Sequence, residues 1–212
     1  MFERLHPTYQ SVVVTVKDTL SFHMGGITDY LTEPNIAGGK AIPSMVEFDK
    51  SKTWHNISTF GFSPNNTIIS AQAEYVPSFG SLGLVVVLGG YKNLGKPGYY
   101  DLVNITFFDP KTKQKYWQLT TGDIPSPRDS FCTAIFANPN GGYEIFVFGG
   151  VFDFNELQDA YVLSLPGFIW KQLPNSAAEP RKDHSCAVMG KRQVLTIGGI
   201  GYADFDDRDK AP

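Results

Sequence analysis

The chain has little with which to staple itself, cross a bilayer or hold a polyanion. Only two cysteines occur in 212 residues, which excludes a disulfide scaffold and a cysteine-rich zinc site. The longest apolar run, Leu82 to Leu88, is strand-sized and far short of the roughly 18–20 residues a membrane helix needs. Charged residues make up 18 %, below the usual ~25 %. The net charge of −3 gives no electrostatic reason to expect nucleic acid or anionic lipid as a partner. No basic-then-apolar leader is read at the start, where Met1-Phe2-Glu3-Arg4 runs into Leu5-His6-Pro7.

What the chain does have is turn formers and rings. There are 21 glycines and 14 prolines, about one residue in six against a usual one in eight or so. Aromatic residues reach 14 %. Ample apolar material with frequent turn chemistry predicts an all-β domain of many short strands.

An internal repeat organises those strands. Gly25-Gly26, Gly89-Gly90, Gly149-Gly150 and Gly198-Gly199 each close an apolar run. One tryptophan falls in each interval: Trp54, Trp117 and Trp170. The second glycines recur at roughly 50–65 residues, the period of a propeller blade. A further β-prone run precedes each later glycine pair, at 67–75, 130–137 and 185–189, and another lies between pair and tryptophan, at 45–48, 102–108 and 160–165. Each unit therefore reads as four antiparallel strands, A to D, with the glycine pair after B and the tryptophan on D. Such a sheet has two apolar faces and can cover neither alone, so units stack face to face. The tryptophans are expected to fill the gaps between units.

These residues resemble the kelch repeat. Pro127-Arg128-Asp129-Ser130 and Pro180-Arg181-Lys182-Asp183-His184 match the start of its pattern, and Phe108-Asp109-Pro110 with Trp117, and Phe48-Asp49 with Trp54, match its end. The second repeat lacks the arginine, the first offers only a displaced Arg4, and the third C–D turn is Leu165-Pro166-Gly167. The resemblance implies a single β-propeller segment over residues 1–212 with blades near 7–57, 67–119 and 128–173 and a partial blade at 183–199. That is about three and a half blades, an incomplete propeller and a fragment of a longer chain. Similarity to fungal kelch proteins, many of them resembling ectodomains, implies a secreted or membrane-anchored parent. It also implies that Arg128 and Arg181 tie strand A to neighbouring carbonyls.

Chemistry-bearing residues are few. His6, His23, His55 and His184 show no ligand spacing on one element, and no metal or cofactor is expected. Kelch-like copper oxidases resembling galactose oxidase need a Tyr–Cys crosslink with tyrosine and two histidines, and no such set accompanies Cys132 and Cys186. Those cysteines sit near the starts of successive A strands; two buried thiols are the favoured reading and a disulfide the alternative. Asp204, Asp206, Asp207 and Asp209 read as a solvated loop, lacking the glycine and final glutamate of an EF-hand. Of the sequons at Asn56, Asn65 and Asn104, Asn65 and Asn56 are the candidate acceptors, with Asn104 expected between blades.

The expected function is a non-catalytic module that presents loops to a protein partner, with a glycan-binding propeller or a metal-dependent kelch enzyme as alternatives. In an up-and-down meander the B–C and D–A loops share one face. They are the long ones, which invites a functional role. Tyr30, Tyr91, Phe152 and Phe154 stand in the B–C loops outside the strand pattern and are the candidate anchors. Open blade edges predict self-association.

Overall fold

The computed structural model describes residues 12–17, 20–29, 38–58, 67–92, 98–174 and 179–201, and every regular element among them is a strand. Arg4, His6, Tyr30, Asn65 and the 204–209 acidic run lie outside the described residues. The first sheet uses β1 (Val12–Val16) and β2 (Leu20–Met24). After a small hairpin, β3 (Ile27–Thr28) with β4 (Lys40–Ala41), it continues with β5 (Ser44–Asp49) and β6 (Trp54–Ser58). The second holds β7 (Gln72–Val76), β8 (Leu84–Leu88), β9 (Asn104–Phe108) and β10 (Lys115–Leu119). The third gathers β11 (Thr121–Gly122), β12 (Cys132–Ala137) and β13 (Tyr143–Phe148). Past a hairpin of β14 (Val151–Phe152) and β15 (Asn155–Glu156), it is completed by β16 (Ala160–Leu165) and β17 (Ile169–Gln172). A last hairpin pairs β18 (Lys182–Met189) with β19 (Gln193–Ile200).

Each main sheet is a four-stranded antiparallel meander in chain order, and the third gains β11 as a parallel edge on β17. The arrangement is compatible with a β-propeller-like fold, and the sheets do not close on one another among the described residues. No helix of the described residues is long and apolar enough to cross a membrane.

The unbroken apolar run Leu84-Val85-Val86-Val87-Leu88 shows why the sheets stack. Side chains alternate across a strand, and here both faces are covered. Val85 and Val87 join Phe108, Phe22, Met24 and Met45 in a core against the first sheet. Val86 and Leu88 join Leu102, Phe107, Ile145, Val147, Leu163 and Trp170 in a core against the third. Each fully buried side chain of this kind contributes about 1.5–3 kcal/mol. Where the third sheet meets the last hairpin, the buried cluster among the described residues is small: Cys132, Phe148 and Ala160, with Phe146, Leu173 and Cys186 packed against it.

The glycine pairs lock sheet to sheet. In the first three pairs the second glycine's N–H donates across the boundary: Gly26 to Ile68 O at 2.8 Å, Gly90 to Arg128 O at 2.8 Å and Gly150 to Arg181 O at 2.9 Å. Both residues of every pair have φ between 60° and 94°, backbone that side chains rarely adopt. A Cβ on Gly89 or Gly149 would also sit 2.6 or 2.5 Å from the receiving carbonyl. A second relay runs alongside, from Ser130 N to Ser70 O at 3.0 Å and from Asp183 N to Ser130 O at 2.9 Å. The arginines close each unit internally. Arg128 Nη1 donates to Gly149 O at 3.1 Å, and Arg181 Nη1 to Gly198 O at 2.6 Å.

The Asp-containing C–D turns are built alike. Asp49 accepts from the N–H groups of Ser51 and Thr53, and Asp109 from those of Lys111 and Thr112. The tryptophans depart from expectation. Trp170 is 1 % exposed and donates its indole N–H to Leu102 O of the second sheet at 3.1 Å. Trp54 and Trp117 are 50 % and 58 % exposed. Counted back from the glycine pairs, Trp54 and Trp170 share one position, opposite Phe48 and Leu163 and through them level with Ser21 and Ile145. Trp117 is displaced by two residues, opposite Thr106 and level with Val87; Trp54 packs tilted on the Phe48 ring. Only Trp170 therefore fills a boundary between sheets. Asn104 departs too: it opens β9 and is exposed, as is Asn56 on β6.

Candidate functional site

The B–C loops of the second and third sheets meet in an aromatic ladder. Tyr91 follows the second glycine pair and is held by reciprocal backbone hydrogen bonds with Ile69 (Tyr91 N to Ile69 O at 2.8 Å). Its hydroxyl lies 2.9 Å from that of Tyr99, and the two rings pack tilted with centroids 4.5 Å apart. Tyr99 packs edge-on against Phe152 at 5.1 Å and accepts a hydrogen bond from the Asp153 N–H at 3.1 Å. Burial pushes the Tyr91 phenol well above its ordinary value of 10, helped by Tyr99 and the Asp129 carboxyl. Burial likewise raises Asp129, whose Oδ2 finds no hydrogen bond among the described residues, while Ser130 and Tyr91 pull the other way. Tyr91 and Phe152 thus brace one loop on the next. Tyr99 is the link that the sequence pattern did not single out.

Phe154 is placed differently. It stands at the tip of the β14–β15 hairpin, 95 % exposed. The hairpin needs two left-handed residues at its turn, a position usually given to Asn-Gly or Asp-Gly. Here they are Asp153 at φ 50° and Phe154 at φ 64°. A bulky residue there costs about 1–2 kcal/mol. Phe168 is also left-handed, at φ 54°, but its ring packs on Phe107 at 5.7 Å. The Phe154 ring gains no such burial, so the strain at the tip has no return in folding. Lys182 pairs with Glu156 at 3.1 Å and ties the base of this hairpin to β18.

A second cluster lies where the edge strand of the third sheet meets the last hairpin. β12 and β18 run side by side and bring Cys132 and Cys186 to a Cα–Cα distance of 5.4 Å, joined as a disulfide. The favoured expectation of two separate thiols is corrected here: β12, at the edge of the third sheet, lies against β18 of the last hairpin and brings the sulfurs into bonding range. His184, two residues before Cys186 on the same strand face, completes the group. Its ring nitrogen and the two sulfurs lie within 4.8 Å of one another. No two histidines share ligand spacing, but the fold supplies what the spacing lacked. The signal was there as His184-Ser185-Cys186, a two-residue step on one strand face. His184 is 6 % exposed, and neither ring nitrogen has a hydrogen-bond partner among the described residues. Burial lowers its pKa below 6.5, and Arg181 adds to this; carbonyls of Lys182 and Phe148 near the ring oppose it without hydrogen-bond geometry. Glu74, on neighbouring β7, is raised by burial and partly offset by Thr133.

Arg128 is a structural residue here. It is fully buried and donates to Ser126 O, Gly149 O and both Asp159 oxygens, at 3.1, 3.1, 2.7 and 3.2 Å. Its guanidinium lies over the Tyr161 ring at 5.3 Å. Such a committed cation is not available to a ligand. No family model matches the chain.

Proposed function

We propose that the chain is a kelch-type β-propeller segment, a single unit over residues 1–212, and that it serves as a non-catalytic module binding a protein partner through its B–C loop face. The observation that carries this is Phe154: a ring held in strained backbone, exposed at the tip of a braced hairpin. Binding energy at protein interfaces concentrates in such aromatic anchors. The ladder of Tyr91, Tyr99 and Phe152 beneath it fixes the hairpin, so little ordering entropy is lost on association. Three features support the kelch reading of the scaffold: the repeated glycine-pair bonds, the arginine contacts of Arg128 and Arg181, and the Asp49 and Asp109 turns.

The test is a photo-crosslinking phenylalanine analogue at position 154, with a control at Lys191 in the β18–β19 turn on the opposite face. A discrete protein adduct from position 154 and none from position 191 supports the reading. Equal capture from both positions refutes it, as does absence of a protein adduct from a chain that selects sugars on a glycan array.

A further inference from the structure

The buried group at Cys132, Cys186 and His184 has more donor capacity than a structural disulfide uses. A disulfide between β12 and β18 needs no histidine beside it. Yet His184 is held there closely. Its ring meets Phe148 edge-on at 5.4 Å. A Cβ on Gly149 would come within 3.0 Å of its Cε1, and one on Gly199 within 2.6 Å of its Cβ. Two glycine pairs thus form a cradle that only glycine leaves open, and the imidazole lies in it with both nitrogens unpartnered among the described residues. An unpaired buried polar ring costs free energy unless something else occupies its lone pair.

We propose that the reduced protein binds one divalent zinc-class ion through Cys132 Sγ, Cys186 Sγ and a ring nitrogen of His184, so that reduction turns the disulfide sulfurs into a metal-binding dithiolate. Zinc–sulfur and zinc–nitrogen distances of about 2.3 and 2.0–2.1 Å put tetrahedral ligand atoms roughly 3.3–3.8 Å apart. The donor atoms here already lie within 4.8 Å of one another. Three protein ligands leave the fourth position to water. The conversion balances with a phosphine as reductant. Phosphorus gives two electrons that break the S–S bond, water supplies its oxygen to form the phosphine oxide, and the two protons go to the sulfurs. Metal binding then releases both thiol protons to solvent, while the imidazole contributes a neutral lone pair.

The experiment uses the full chain, reduced anaerobically with a phosphine and titrated with Co²⁺. The expected result is one equivalent of tetrahedral cobalt with a sulfur-to-metal charge-transfer band, displaced by Zn²⁺ and absent from the oxidised protein. Cys186→Ser should remove at least half of that band, and His184→Gln should weaken cobalt binding tenfold or more. The aqueous octahedral spectrum persisting at stoichiometric protein overturns the proposal. Unchanged affinity in His184→Gln overturns the three-ligand assignment. Should a variant fail to fold, alkylation of the reduced wild-type chain decides. Stoichiometric Zn²⁺ must protect both cysteines from iodoacetamide, and unprotected cysteines refute the site.

Discussion

The two arginines that open the third sheet and the last hairpin occupy the same repeat position but should differ widely in worth. Arg128→Ala removes a fully buried guanidinium and strands Gly149 O, Ser126 O and the Asp159 carboxylate. Breaking a buried ion pair in this way costs about 3–5 kcal/mol. Asp159 keeps 28 % of its side chain exposed, so solvent screens the orphaned charge and the lower end, about 3 kcal/mol, is expected. Arg181→Ala removes one hydrogen bond, to Gly198 O, in an exposed setting, worth about 1 kcal/mol or less. With a urea m-value of about 2 kcal/mol/M, the midpoint should fall by about 1.5 M for Arg128→Ala and by under about 0.5 M for Arg181→Ala. Arg128→Lys should not rescue, because an ammonium cannot span both carboxylate oxygens and two carbonyls. Arg128→Met combined with Asp159→Leu should recover part of the loss. Equal midpoints for the two single variants would refute the reasoning.

Phe154→Gly should raise stability by about 1 kcal/mol by relieving the left-handed backbone, read as a higher Tm, while Tyr91→Ala and Phe152→Ala lower it through loss of the ladder. A lower Tm for Phe154→Gly would contradict the strain assignment. Hydrogen bonds from Ser51, Thr53 and His55 hold the Asp49 carboxyl at about 2 rather than 3.8. Its stabilisation is therefore complete above pH 3.8 and lost as pH falls towards 2; Asp49→Asn should flatten that part of an acid-unfolding curve. His184 has the opposite charge type but the same slope. Its folded pKa lies below 6.5, so the unfolded chain binds the proton first and stability drops as pH falls below 6.5; His184→Phe should remove that dependence in thermal melts. On the β18–β19 hairpin, Met189, Leu195 and Ile197 are 48 %, 45 % and 54 % exposed, an apolar face that should drive association. Leu195→Lys with Ile197→Lys should shift sedimentation of the 212-residue chain towards monomer, and unchanged sedimentation would move the contact elsewhere.

The sheets were readable because burial writes itself into sequence: Leu84–Leu88 is a run that only a strand covered on both sides tolerates, and Tyr143–Phe148 alternates as a strand with one fully buried face does. The glycine pairs were readable because their backbone admits little else. The tryptophans misled, since a recurring residue carries neither the register nor a partner: Trp117 sits two positions off the place that Trp54 and Trp170 share, and of the three only Trp170 meets a carbonyl of the neighbouring sheet, Leu102 O. Of the loop anchors, Tyr91 and Phe152 proved to be bracing because Tyr99, eight residues on from Tyr91, slid between them. Nothing local announces such a contact. The Cys–His group was half-visible, as one strand-face step in β18, but its third member comes from a strand more than fifty residues earlier.

The serine relay and the glycine-pair bonds both run between adjacent sheets only. A stack coupled through nearest neighbours behaves as a linear array, in which each member's persistence depends on the member beside it. The second sheet has a large core on each side, while the last hairpin leans on a small one and leaves a cleft of about 570 Å³ against the third sheet. Opening should therefore begin at that hairpin and travel inward. Amide exchange should be fastest in β19, slower in β13 and slowest in β8, a gradient along the stack rather than one threshold for the whole chain.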